Sequence, residues 1–226
     1  MDDFRRYGIF AVPEGAFFDL ASAWLGWDSV AGRCVPHPVI EHIPAPIEAL
    51  TAAPRKYGFH GTLKAPFRLA EGRKAADLSR AVGAFCAARA PVTVPEMQVH
   101  RLGGFVAVVP AVRAAALADL AAQVVSVLDP FRAPLSEAEL ARRRKAGLSD
   151  RQEALLQRWG YPFVMEEFRF HLTLTGRMPH ADTVREALAR HFAPVLPRPF
   201  VIDTLALMGE AADGRFHLIQ RYGLSG

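Results

Sequence analysis

Two short segments of the chain are near copies of one another. Phe59-His60-Gly61-Thr62-Leu63 and Phe170-His171-Leu172-Thr173-Leu174 each set histidine and threonine two residues apart between apolar neighbours. On a strand, alternate residues share a face. His60 and Thr62 then stand on one face, with Phe59 and Leu63 on the other. His171 and Thr173 likewise stand opposite Phe170, Leu172 and Leu174. The same alternation carries Lys64 onto the His60 face and Arg169 onto the His171 face. Each strand is expected to offer an imidazole, a hydroxyl and a cation in a line.

Such a pair suits the opening of a cyclic phosphodiester by water. Histidine titrates near neutral pH, so one ring can accept a proton while the other donates one. A base must activate the water and an acid must protonate the departing sugar oxygen, each act contributing roughly 10²–10⁴-fold. The threonine hydroxyls, with Lys64 and Arg169, would stabilise charge on the non-bridging phosphate oxygens. This chemistry calls for no metal and no cofactor. A lone His-x-Thr is a common chance pattern, most simply a strand-edge histidine bonded to a backbone carbonyl. Its recurrence at matching places in the chain carries the inference.

Those places are set by a repeated layout. Strand-like patterns cover 7–12, 57–65, 92–100, 105–110, 168–175, 200–208 and 216–222. Apolar helical faces occur at Phe17, Leu20, Ala21 and Trp24; at Leu78, Ala81, Val82 and Phe85; at Leu117, Leu120, Ala121 and Val124; and at Val184, Ala187 and Leu188. The order strand, helix, strand, helix, strand occurs twice, with shifts of 107 to 111 residues and one strand left over. This predicts one domain over 1–226, an α+β fold of two similar lobes whose antiparallel sheets and flanking helices enclose a central cleft.

Two stretches interrupt the repeat. Residues 28–56 are rich in proline and read as a long extended loop. Residues 129–163 read as a helical insert, with a capping box at Ser136 and Glu139 and a second short helix from Ser149 to Trp159. Its basic run, Arg142-Arg143-Arg144-Lys145, reads as a solvated helical face, with a phosphate-binding patch as the lesser reading. A segment of this length between core elements is a candidate lid.

Composition narrows the classes. The chain has 226 residues, 51% hydrophobic and 22% charged, and a net charge of +4. It is too apolar for a disordered protein, and too weakly basic to coat nucleic acid. Only 4 of the 27 basic residues are lysine, and arginine matches phosphate in a planar, two-pronged geometry. The two cysteines, Cys34 and Cys86, form no metal or redox motif and are expected to be reduced and structural. His37 and His42 lack the carboxylates or cysteines of a metal site, and a solvent-exposed role is expected for them. His180 and His191 read as helix-end residues, and the three tryptophans as core. No apolar stretch spans a membrane, and the polar start, Met1 to Arg6, lacks the order of a secretion signal, so a cytoplasmic monomer is expected. Neither a glycine-rich nucleotide loop nor a Gly-x-Ser-x-Gly elbow is present, and Gly103-Gly104 reads as a hairpin turn.

The paired His-x-Thr motifs resemble the 2H phosphoesterase superfamily, which includes RNA 2′,3′-cyclic phosphodiesterases and 2′-5′ RNA ligase-like proteins. The longer segments 55–67 and 161–176 are similar to a branch associated with phosphonate metabolism, and the likeness runs from Arg6-Tyr7 to Arg221-Tyr222. The resemblance implies a two-lobed fold, His60 and His171 as the catalytic pair, and Thr62 and Thr173 as phosphate ligands. From the narrower branch it implies substrate-binding roles for Lys64, Arg169 and Tyr7. It implies a small phosphoribosyl substrate for a cyclic phosphodiesterase. The alternatives are action on an RNA end, as hydrolase or ligase, and a non-catalytic module that binds a phosphorylated ligand or RNA in the same cleft.

Overall fold

The computed structural model describes residues 4–41, 43–145, 147–179 and 181–226. The chain runs through β1 (Arg6–Ala11), α1 (Gly15–Leu25), β2 (Trp27–Asp28), β3 (Arg33–Cys34), α2 (Ile47–Arg55), β4 (Gly61–Phe67) and α3 (Ala75–Ala87). It continues through β5 (Val92–Val94), β6 (Met97–Leu102), β7 (Phe105–Pro110), α4 (Ala115–Val127), α5 (Glu137–Arg144) and α6 (Asp150–Trp159). The last elements are β8 (Leu172–Thr173), α7 (Ala181–Phe192), β9 (Phe200–Ile202), β10 (Thr204–Glu210) and β11 (Phe216–Gly223).

Seven strands form one antiparallel sheet in the order β11-β10-β1-β4-β8-β7-β6. The order of elements from β1 to β6 returns from β7 to β10 around the helical insert, as the repeat predicts. The copies exchange strands. β10, from the second, borders β1 of the first, while β6, from the first, borders β7 of the second. Helices cross over too: α4 packs on β4, and the Trp24 indole of α1 donates to the Leu174 carbonyl beyond β8 at 2.7 Å. Helices α3, α4 and α7 cover one face, and Leu78, Leu117, Val184 and Leu188 lie fully buried in a shared core. Burying side chains of this size contributes about 1.5–3 kcal/mol each.

Several elements differ from the expected ones. The 92–100 and 200–208 patterns each break into two strands. β5 leaves to pair with β9, while β6 and β10 stay in the main sheet. Pro95 and Asp203 mark the breaks, where the chain changes sheets. The proline-rich loop contains the β2–β3 hairpin and helix α2. α2 forms despite Pro54 because that proline sits in its last turn and tertiary bonds hold the helix. Thr51 Oγ1 donates to Ile47 O, and the Arg55 guanidinium donates to Leu25 O, Glu48 O and Thr51 Oγ1.

The insert carries both expected helices. Ser136 and Glu139 form a reciprocal cap on α5, and Ser149 and Gln152 form another on α6. Each side-chain cap is worth about 1 kcal/mol. Leu155 and Val164 pack against Val125, which fixes the insert to α4. Cys34 is exposed, contrary to a packed structural role, while Cys86 is buried. Trp24 and Trp27 are core residues, and Trp159 is half-buried. His37 bonds the Trp24 carbonyl and the Arg55 guanidinium instead of facing solvent. The readings of His42 and His180 fall outside the described residues. No helix among the described residues is long and apolar enough to cross a membrane.

Candidate active site

β4 and β8 meet at the middle of the sheet through the pair Gly61–Leu172. Antiparallel register about that pair sets His60 level with Thr173, and Thr62 level with His171. The two motifs thus lie side by side, each imidazole beside the other motif's hydroxyl. Such close packing depends on Gly61, where a Cβ would come within 2.3 Å of the Phe170 ring on the opposite face. Phe59, Leu63, Phe170, Leu172 and Leu174 are buried, and that commitment turns the histidines and threonines the other way.

Both rings are held alike. His60 Nδ1 lies 3.0 Å from the Gly58 carbonyl, and His171 Nδ1 lies 2.7 Å from the Arg169 carbonyl. A carbonyl only accepts, so Nδ1 carries the proton in each ring and Nε2 is left for chemistry. In the neutral ring, Nε2 of His60 accepts from the Thr62 hydroxyl at 3.1 Å. The His60 ring stacks on Phe10 at a centroid distance of 4.0 Å. Burial pushes its pKa down to about 4, assisted by the positive field of His171 and opposed by the Gly58 hydrogen bond. His60 is therefore neutral at physiological pH.

A cavity of about 280 Å³ opens beside these groups. His60 and Thr173 contribute to its wall, and Tyr57, Phe105 and Arg177 complete much of the rest. Phe105 lies against His171 at 5.8 Å, and Tyr57 against His60 at 5.9 Å. Sequence reasoning overlooked these three residues. Tyr57 precedes the first motif by three positions and Arg177 follows His171 by six, but only strand pairing reveals that they converge.

The remaining predicted site residues lie elsewhere. Lys64 does not continue the His60 face. The β1–β4 register shifts between Ile9, opposite Lys64, and Phe10, opposite Thr62. The extra residue of this bulge turns Lys64 toward α4. There its ammonium donates to Val125 O at 3.0 Å and Asp129 Oδ1 at 3.1 Å, and the residue is 3% exposed. Burial lowers its pKa to about 8, against the pull of Asp129. Arg169 is exposed and folds back on its own turn, donating to Glu166 O and Phe168 O. Tyr7 is buried, one residue out of phase with Arg6, Gly8 and Phe10, and so on the opposite face from His60. No cluster of three histidine, cysteine or acidic groups fit to hold a metal ion occurs among the described residues.

Residues 62–217 match a family model described as protein of unknown function (DUF1045). The chain is 40% identical over 222 residues to a Janthinobacterium sp. (strain Marseille) protein named ribose 1,5-bisphosphate phosphokinase PhnN, covering 94% of this chain and 49% of that protein. It is 37% identical over 221 residues to the Laribacter hongkongensis (strain HLHK9) protein of the same name, covering 92% and 49%. The chain thus spans about half the length of these relatives. Among solved structures, a phosphoesterase superposes with a TM-score of 0.50 at 16% identity, covering 98% of this chain and 99% of that one. Apo LigT of E. coli superposes at 0.51 with 14% identity, and LigT bound to 3′-AMP at 0.50 with 15%, each covering 99% of both chains. These structures share the fold of this chain.

Proposed function

The chain belongs to the DUF1045 family, and from that premise we propose that it is a phosphodiesterase that opens a cyclic phosphate ester by paired-histidine acid–base catalysis. One observation carries the reading. Two imidazoles with Nδ1 tied to backbone flank the β4–β8 pair, each level with a threonine, and His60 and Thr173 open onto a cavity walled by Phe105, which lies against His171.

In the proposed step, Thr62 and Thr173 donate to non-bridging phosphate oxygens, which releases His60 Nε2 from its bond to Thr62. His60, kept neutral by burial, takes a proton from water as the water oxygen bonds to phosphorus. The bond from phosphorus to one sugar oxygen breaks, and His171 in its imidazolium form gives that oxygen a proton. The products are a phosphate monoester and a free hydroxyl. His60 ends protonated and His171 neutral, and exchange with solvent resets both.

A small phosphoribosyl ester is the preferred substrate. Water added to the phosphorus of ribose 5-phosphate 1,2-cyclic phosphate, with loss of the 2-oxygen, yields ribose 1,5-bisphosphate. That product is the compound in the relatives' name. The kinase activity in that name finds no support in these 226 residues, which lack a Gly-x₄-Gly-Lys-Ser/Thr loop. A second reading draws on Tyr57 and Phe105, whose rings flank the histidines and could stack a nucleobase. It makes a nucleoside 2′,3′-cyclic phosphate at an RNA end the substrate.

Turnover of both cyclic phosphates with EDTA present, by wild type, His60→Ala and His171→Ala, tests the proposal. Hydrolysis that survives the chelator and is lost in both variants supports it, and the faster substrate chooses between the readings. Ligand binding without turnover of either compound would make the chain a binding module.

A further inference from the structure

The proposed chemistry leaves the basic run of α5 unused, and its members have different fates. Arg144 is paired with Glu153 at 2.6 Å, and Arg142 is exposed. Arg143 turns inward. Its guanidinium lies 5.0 Å over the Tyr161 ring, and its Nε is buried with no hydrogen-bond partner among the described residues. The acidic group of its own helix that acts on it, Glu139, is already bonded to Arg68 and to Ser136. A partly buried guanidinium with an unbonded Nε gains from an anion that reaches it.

This cation lies at the end of a track that starts at His60. Phe10 stacks on His60, and its ring lies over Gly8, which has no side chain on that face. Arg6 follows on the same face, about 13 Å along the strand from Phe10. Tyr57 bridges the two ends, with its ring beside His60 and its hydroxyl bonded to Arg6. Arg6 acts on Arg143 as a like charge, and the Tyr57 hydroxyl acts electrostatically on that of Tyr161. The Arg6 charge is balanced by a two-pronged bond to Glu210, whereas Arg143 Nε has no hydrogen-bond partner among the described residues.

We propose that Arg143, with the hydroxyls of Tyr57 and Tyr161, forms a subsite for a second phosphate, so that the substrate is a cyclic phosphate ester bearing a separate phosphomonoester. This rests on the reading of the His60–His171 cleft as the reaction site. It selects a phosphorylated ribose cyclic phosphate over a nucleoside 2′,3′-cyclic phosphate that lacks the second group. It also gives the insert a role: α5 contributes one wall of the substrate site.

Equilibrium binding of ribose 5-phosphate, with ribose as control, tests the subsite without requiring turnover. Wild type should bind ribose 5-phosphate and not ribose. Arg143→Met should weaken that binding about tenfold or more, as expected for loss of a charged hydrogen-bonding partner, and Arg143→Lys should recover part of it. The same three proteins are then assayed on a nucleoside 2′,3′-cyclic phosphate, where Arg143→Met should change kcat/KM by less than about twofold. Equal binding by wild type and Arg143→Met, no binding by wild type, or equal losses on both ligands would overturn the subsite. Retained nucleotide turnover in those cases would leave the catalytic reading intact. Absence of turnover of both the nucleoside 2′,3′-cyclic phosphate and ribose 5-phosphate 1,2-cyclic phosphate, with the Arg143-dependent binding preserved, would remove the catalytic reading alone.

Discussion

His60 and His171 are fixed by the same bond, from Nδ1 to the carbonyl two residues upstream. The duplication of sequence is thus a duplication of ring orientation. What distinguishes the two is their surroundings. His60 stacks on Phe10 and is driven neutral by burial, whereas His171 lies half-buried against Phe105. That asymmetry is the basis for making His60 the base and His171 the acid.

Replacing either histidine by alanine should lower turnover by roughly 10²–10⁴-fold while leaving the circular dichroism spectrum unchanged. A variant that keeps more than about a tenth of wild-type turnover would remove that residue from the proton transfers.

The neutral state of His60 also links stability to pH. Its folded pKa of about 4 lies below the ordinary 6.5, so between these values the unfolded chain binds the extra proton. Stability should fall as pH drops from 6.5 to 4, by up to the order of 3 kcal/mol from this group. Urea melts of wild type and His60→Gln across that range isolate the effect, because the variant lacks this part of the slope. Parallel slopes would contradict it.

Asp129 carries a structural load at the root of the insert. Burial alone would raise its pKa, but Arg132 and Lys64 hold it below the usual carboxylate range. Asp129→Ala leaves the buried Lys64 ammonium without its carboxylate and should destabilise the fold by on the order of 3 kcal/mol. Lys64→Met should cost less in a urea melt and should leave the KM for a cyclic phosphate within about twofold. A large KM increase would return Lys64 to the substrate site.

Gly61→Ala should damage the seam. The new methyl group meets the Phe170 ring, and overpacking of this kind costs about 1–3 kcal/mol. Adding Phe170→Leu should restore part of the thermal midpoint. Failure of the double variant to recover would mean that the glycine serves the backbone and not the ring.

The paired motifs, the major helices and the insert could be read from residue types and spacing, because each depends on a local period. Lys64 could not, since its face depends on a bulge against a strand more than fifty residues earlier. Helix α2 was hidden by prolines whose effect is overcome by Arg55 and its distant acceptors. The cavity walls escaped notice for a related reason: Tyr57, Phe105 and Arg177 come together only when β4, β8 and β7 pair. Arg143 looked like one charge in a solvated run, and it is Tyr161, eighteen residues on, that shelters it.

The exchange of edge strands has a consequence for how the chain could be divided. Cleavage at the Gly103–Gly104 turn would leave β1, β4 and β6 on one fragment and β7, β8, β10 and β11 on the other. Within the first, β6 is separated from its siblings by strands it no longer possesses, and β4 loses the cover of α4. In the second, β10–β11 and β7–β8 become disconnected ribbons. Neither fragment retains a continuous sheet, whereas together they hold every strand of it. His60 and His171 fall on different fragments, so a cut at this turn separates the two motifs, and only a complex of both fragments could restore the β4–β8 pairing that sets them side by side.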